Sequence, residues 1–211
     1  MTTPGDPWLR RLRTAPTRAA RLVCLPPEGA DALFPLPLAR AISHPLEVLG
    51  VQYPGRRDRR TEPPLTSVEA LAEGIATALP GDAPLALFGH GLGALVALEV
   101  ARRTPAVTLF TSGCPAPSRR FPAHPTGTGP TRADTEAAAT YHWSGHPLAI
   151  PLTALAGEHD PRAPVDRVAE WHQVTTGPFD LQVFSGDHTY LTHCASTIAT
   201  AVGERVMELI S

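Results

Sequence analysis

Leu85-Ala86-Leu87-Phe88-Gly89-His90-Gly91-Leu92-Gly93-Ala94-Leu95-Val96-Ala97-Leu98-Glu99 is the stretch that decides the fold. An apolar run breaks at a glycine-rich corner and resumes with helical spacing, the pattern of a buried parallel strand turning sharply into a helix. In the corner motif G-x-S-x-G the middle position carries a nucleophile. Here that position is Gly91, so the corner is legible and its reactive atom is missing.

Working outward, short apolar runs at Arg21–Leu25, Leu46–Tyr53, Ala106–Ser112, Pro151–Gly157 and Phe179–Phe184 read as strands. Between them, helices are expected over Phe34–Ile42, from a Thr66 or Ser67 cap through Leu79, over Leu92–Arg103, over Val165–Val174 and over Tyr190–Ile210. The first twenty residues read as a polar arm. Strands alternating with helices imply parallel crossovers and a sheet covered on both faces. From Gly113 to Pro151 the pattern dissolves into Pro, Gly, Thr, Arg and His around one short helix, Thr131–Trp143. That segment, about 114–150, reads as a lid inserted over the site of a single α/β domain spanning 1–211.

Composition narrows the function. A net charge of −2 with scattered basic residues provides no field for a nucleic acid backbone, so no nucleic acid partner is expected. Cys24, Cys114 and Cys194 are odd in number and lack paired metal-ligand spacing, which points to a reducing, cytoplasmic setting. Met1–Ala20 has no apolar segment, so neither a signal peptide nor a membrane span is read there. His142 and His146 have the spacing of ligands on one helix face. Gly145 and Pro147 oppose that helix, so these two and His124 read as surface histidines, with no metal and no cofactor expected.

Three strand ends carry chemistry: Gly89-His90-Gly91-Leu92-Gly93, then Gly157-Glu158-His159-Asp160-Pro161, then Gly186-Asp187-His188-Thr189. Nucleophile position, acid, histidine is the chain order of the α/β-hydrolase fold. Asp160 would orient His188, and His188 would be the general base. An Asp-Pro turn or a Gly-Asp-His alone means little; all three in order, each at a strand end, is specific.

These blocks, together with Trp8-Leu9-Arg10-Arg11, Arg21-Leu22-Val23-Cys24-Leu25-Pro26 and the distinctive Val51-Gln52-Tyr53-Pro54-Gly55-Arg56, resemble the type II thioesterases, over nearly the whole chain except Gly113–Pro151. The resemblance implies an editing hydrolase of natural product (antibiotic) biosynthesis. Its partner would be a polyketide synthase or nonribosomal peptide synthetase, and its substrate an acyl or peptidyl intermediate on a carrier-protein phosphopantetheine arm. It also implies Asp160 as acid, His188 as base, the Leu92 N–H as one oxyanion donor, and a second donor at or near Glu28.

Three departures from that pattern bear on function. Gly91 removes the acyl-serine route, through an engineered change or through divergence. Pro26-Pro27-Glu28-Gly29-Ala30 replaces a Pro-His-Ala-Gly-Gly type of loop. A Glu28 carboxylate facing inward would oppose an oxyanion but pair with His188 for acid/base work; facing outward, it would be solvated. The lid is short and polar, which implies a more open site or one closed by another chain. Cys114, at the same sheet end as the elbow, is either a substitute nucleophile or a small buried hydrophobe. His90 belongs to the substrate-binding shell without a catalytic assignment.

Three functions remain open at this stage. One is a thioesterase-like enzyme using His188 and Asp160 for non-covalent hydrolysis, cyclisation or elimination. The others are a non-catalytic carrier-protein or acyl-chain binder, and an ordinary thioesterase with an inactivated serine.

Overall fold

A computed structural model of the chain describes residues 6–16, 19–81, 83–118 and 125–211. Among these, seven strands form one sheet: β1 (Leu9–Arg13), β2 (Arg21–Leu25), β3 (Glu47–Val51), β4 (Leu85–His90), β5 (Ala106–Ser112), β6 (Leu152–Gly157) and β7 (Phe179–Phe184). Their spatial order is β1-β3-β2-β4-β5-β6-β7. Every pair from β3 to β7 is parallel, so β2, β4, β5, β6 and β7 deliver their carboxyl ends to the same edge of the sheet.

Period-2 alternation divides the core. On β2, Val23 and Leu25 join one hydrophobic cluster and Leu22 and Cys24 the other. The first cluster is completed by α2 (Val68–Ala78), α3 (Leu92–Ala101) and α5 (Val165–Ala169); the second by α1 (Leu36–Ala41), α6 (Tyr190–His193) and α7 (Ala195–Ile210). The sheet covered on both faces that the alternation of elements implies is present, in the α/β-hydrolase architecture expected from the elbow and the order of the strand-end motifs. Ser67 caps α2 by accepting from the Ala70 N–H at 3.3 Å, and Pro37 lies in the first turn of α1, where its missing N–H costs no hydrogen bond.

Outside the segment read as a lid, the structure departs from the sequence reading chiefly in three places. Leu9–Arg13, read as part of a polar arm, is an edge strand antiparallel to β3. Its alternation is hidden because only Leu9 is buried, and its arginines find local partners: Arg11 pairs with Glu47 at 2.7 Å, and Arg13 donates to the Leu46 carbonyl at 2.7 Å. The helix expected over Val165–Val174 tightens to 3₁₀ geometry from Glu170, where buried Trp171 donates its Nε1–H to the Cys114 carbonyl at 2.8 Å. The long last helix is interrupted at Cys194, whose backbone leaves helical geometry and divides α6 from α7. Cys194 is half-buried there, at the margin of the core.

The segment read above as a lid, and called the lid below, contains α4 (Gly129–Thr140), three residues shorter at its C-terminal end than expected. His142 and His146 lie exposed on the loop beyond it, not on a common helix face, and His124 falls outside the described residues. Among the described residues no three His, Cys, Asp or Glu side chains cluster as metal ligands. No helix among them is long and apolar enough to cross a membrane.

Candidate active site

The corner after β4 is built by close backbone approach. A Cβ on Gly89 would lie 2.1 Å from the Gly93 carbonyl oxygen, and one on Gly93 would lie 2.1 Å from that of Leu25, so neither position admits a side chain. Between them Gly91 adopts φ 54° and ψ −127°, the strained geometry that lifts a nucleophile out of an elbow. Leu92 is the first residue of α3, whose opening amides are those left without intrahelical acceptors. Every residue of α3 is buried.

Beyond β6, Asp160 is a fully buried acid with both oxygens engaged. Its Oδ1 accepts from the Arg162 and Ala163 amides at 2.8 and 3.2 Å, and its Oδ2 contacts His188 Nδ1 at 2.7 Å. The amide bonds fix the carboxylate, and the carboxylate fixes the imidazole, leaving Nε2 as the ring nitrogen free for chemistry. His188 follows β7 with its side chain 20% exposed, so the ring lies at a boundary between protein and cavity.

Glu28 faces inward. A Cβ on Gly91 would lie 2.7 Å from Glu28 Oε2 and 3.0 Å from Pro27 Cβ. The carboxylate therefore occupies the space into which a side chain at the elbow would project. Glu28 and His188 line one cavity of about 750 Å³, together with Gly91, Leu92, His90 and Cys114. Pro26 and Pro27 have no amide hydrogen, so Glu28 is the first residue of this loop able to offer one.

His90 is buried beneath this arrangement. Its Nδ1 lies 2.9 Å from Ser112 Oγ, which lies 2.5 Å from the Tyr190 hydroxyl, and its ring centre is 5.0 Å from that of His188. Burial, followed by the charge of His188, pushes its pKa down to about 3. A neutral imidazole tilted against His188, with 43° between the ring planes, positions that ring without competing for its proton. Cys114 lines the cavity too, but its thiol is buried and contacts the Pro115 carbonyl at 3.4 Å. Burial, then the Glu28 charge, pushes the thiol pKa well up, the opposite of what an activated cysteine needs.

Sequence reasoning missed the framework that holds Glu28. Tyr53, Arg56 and Gln52 bond successive parts of its loop. The Tyr53 hydroxyl donates to the Pro26 carbonyl at 3.4 Å, and Arg56 Nη1 donates to the Ala30 carbonyl at 3.0 Å. Gln52 Oε1 accepts from the Ala32 amide at 3.3 Å. From the lid, the buried Asp134 of α4 accepts from Arg56 at 2.7 and 2.8 Å and from the Gly29 amide at 2.8 Å. Burial pulls its carboxyl above the ordinary range, against the opposing pull of Arg56. One signal was available in sequence: Asp134 shares a helical face with Ala133, Ala137 and Ala138, where a lone carboxylate must find a partner.

An acid and a histidine reaching over a strand-to-helix elbow from two later strand ends define the α/β-hydrolase class, and here they follow the chain order of that class. Within it, a family model described as Thioesterase domain matches residues 20–129 and 123–206, and the chain belongs to the thioesterase family. The two matched segments meet in the lid. The chain is 38% identical to Thioesterase PikA5 of Streptomyces venezuelae over 240 positions, covering 95% of this chain and 85% of that protein. That alignment is longer than the 211 residues here, so the relative has segments this chain lacks. Among solved structures, the type II thioesterase BorB from the borrelidin biosynthetic cluster superposes with a TM-score of 0.87 at 33% identity, covering 96% of this chain and 99% of that one. RedJ, a thioesterase from the prodiginine biosynthetic pathway in Streptomyces coelicolor, gives 0.80 at 29% identity, covering 88% and 85%.

Proposed function

We propose that this type II thioesterase of polyketide or nonribosomal peptide biosynthesis hydrolyses an acyl or peptidyl thioester on a carrier-protein phosphopantetheine arm by direct attack of water. Glu28 and His188 act as its acid/base pair. The observation that carries this reading is the Glu28 carboxylate filling the space of a residue-91 side chain, in the same cavity as His188.

In the proposed cycle Glu28 starts ionised and His188 starts protonated, its Nδ1–H held by Asp160. Glu28 takes a proton from water as the water oxygen bonds to the thioester carbonyl carbon. The resulting oxyanion lies at the Leu92 N–H. When the C–S bond breaks, His188 Nε2–H protonates the departing sulfur. The products are the free acid, which keeps the second water hydrogen, and the thiol of the arm. A proton passing from Glu28 to His188 through solvent restores the start. Glu28 becomes neutral as the oxyanion forms, so the site does not accumulate a second negative charge. This removes the objection that a carboxylate opposes oxyanion chemistry.

The test is hydrolysis of a short acyl N-acetylcysteamine thioester by Glu28→Gln and His188→Ala. Loss of about 100-fold or more in kcat for each, with folding intact, supports the pair. Unchanged turnover in both variants sinks the pair, and a wild-type chain without turnover leaves the non-catalytic carrier-protein or acyl-chain binder.

A further inference from the structure

The lid and the Glu28 loop are joined at one buried point. Asp134 of α4 is 1% exposed and accepts from two directions: the guanidinium of Arg56, itself 8% exposed, and the Gly29 N–H at 2.8 Å. Gly29 directly follows Glu28, so this bond holds the very peptide group that aims the Glu28 side chain. Arg56 binds the same loop from the other side, through the Ala30 carbonyl at 3.0 Å. The loop's Glu28–Ala30 segment is therefore clamped by a pair whose two halves belong to different parts of the fold, Arg56 beyond β3 and Asp134 in the lid.

The C-terminal end of α4 has its own anchor. The Tyr141 hydroxyl donates to Glu99 Oε1 of α3 at 2.8 Å, and Glu99 Oε2 accepts from Arg103 at 2.6 Å. These partners lie away from the Glu28 loop. The C-terminal end and the middle of the lid helix thus differ in kind: the end is fastened to the scaffold, the middle to the segment that bears the proposed base.

We infer that Asp134 is a positioning residue that makes placement of the Glu28 carboxylate depend on docking of the lid helix, so that the acid/base pair is complete only when the lid is closed. If α4 lifts from Arg56, the Gly29 amide loses its acceptor and a buried guanidinium loses its carboxylate. Both losses favour a rearranged loop over the docked one. Substrate that requires the lid to open would enter a site whose base is displaced, and hydrolysis would begin on reclosure. The inference rests on the role proposed for Glu28, but the structural coupling can be read without activity.

The test compares the wild-type chain with Asp134→Asn, which keeps the shape and an oxygen acceptor, and Asp134→Ala, which keeps neither. Amide hydrogen exchange is followed in the Pro27–Ala32 and Gly129–Thr140 segments, alongside kcat and KM for the N-acetylcysteamine thioester. The expected result is faster exchange in both segments together, larger in Asp134→Ala, with kcat falling about tenfold or more. KM is expected to change little. A control, Tyr141→Phe, should speed exchange in α4 while leaving Pro27–Ala32 protected. Faster exchange in α4 without any change in Pro27–Ala32 in the Asp134 variants overturns the inference. A faster-exchanging loop with unchanged kcat also overturns it. If Glu28→Gln itself retains full kcat, the acid/base reading has failed while the exchange result still decides the coupling.

Discussion

Glu28 Oε2 stands 2.7 Å from the point where a Cβ on Gly91 would sit, and Gly91 keeps the positive φ of a nucleophile elbow. The backbone that would present a nucleophile is intact, while the space for its side chain is filled by a carboxylate from the loop after β2. The missing hydroxyl and the departing loop sequence are therefore one steric arrangement. Any account of the site has to treat residues 28 and 91 together.

Gly91→Ser alone should not create a competent acyl-serine enzyme. Its Cβ also meets Pro27 Cβ at 3.0 Å, and the positive φ is unfavourable for an L side chain, so a stability loss of about 1–3 kcal/mol is expected. The serine pushes Glu28 aside, and water-mediated hydrolysis falls. Labelling by a sulfonyl fluoride should stay slow in Gly91→Ser and accelerate in Gly91→Ser/Glu28→Ala. Rapid stoichiometric labelling of the single variant would falsify the idea that Glu28 blocks the elbow.

Asp160→Asn should lower kcat by about 100-fold or more while leaving the fold in place. The amide can still accept from the Arg162 and Ala163 amides, but it no longer fixes the charge and tautomer of His188. Steady-state kinetics together with a thermal melt provide the check. A full-rate variant would remove the dyad from the mechanism.

Cys114→Ala should retain most of the thioesterase activity, and wild-type Cys114 should react slowly with iodoacetamide near neutral pH. Its thiol is buried and held protonated by burial and by the Glu28 charge. Mass spectrometry of the alkylated chain distinguishes it from the half-buried Cys194. Rapid alkylation of Cys114, coupled to loss of activity, would restore it as a nucleophile.

Stability should decline in acid partly through His90. Its folded pKa is pushed down to about 3, whereas an unfolded imidazole titrates at about 6.5. Between those values the unfolded chain binds the extra proton, so this contribution is fully present above about pH 6.5 and is lost as pH falls, at about 1.4 kcal/mol per unit. Urea midpoints from about pH 7 to about pH 4 should show that slope, and His90→Gln should flatten it. An unchanged slope in the variant would assign acid sensitivity to other groups.

Much of this molecule is written in local pattern. The apolar runs at Arg21, Leu85, Ala106, Leu152 and Phe179 specify strands, and their alternation with helices specifies the parallel sheet, because parallel strands require crossovers. The elbow, Asp160 and His188 were legible because each is fixed by its place at a strand end. The edge strand Leu9–Arg13 was not, since its arginines satisfy themselves against β3 and leave little apolar alternation. Which way Glu28 faces was equally beyond the sequence. The direction of a loop side chain depends on groups distant in the chain: Tyr53 and Arg56 from beyond β3, and Asp134 from the lid. The sequence by itself determined the parallel strands of the sheet, the elbow and the order of acid and histidine, all consequences of near-neighbour periodicity and turn chemistry. Only the tertiary structure decided that the vacant elbow is occupied by Glu28 and that Cys114 is buried as a protonated thiol. Those outcomes depend on packing and desolvation, which come from contacts between residues far apart in the chain.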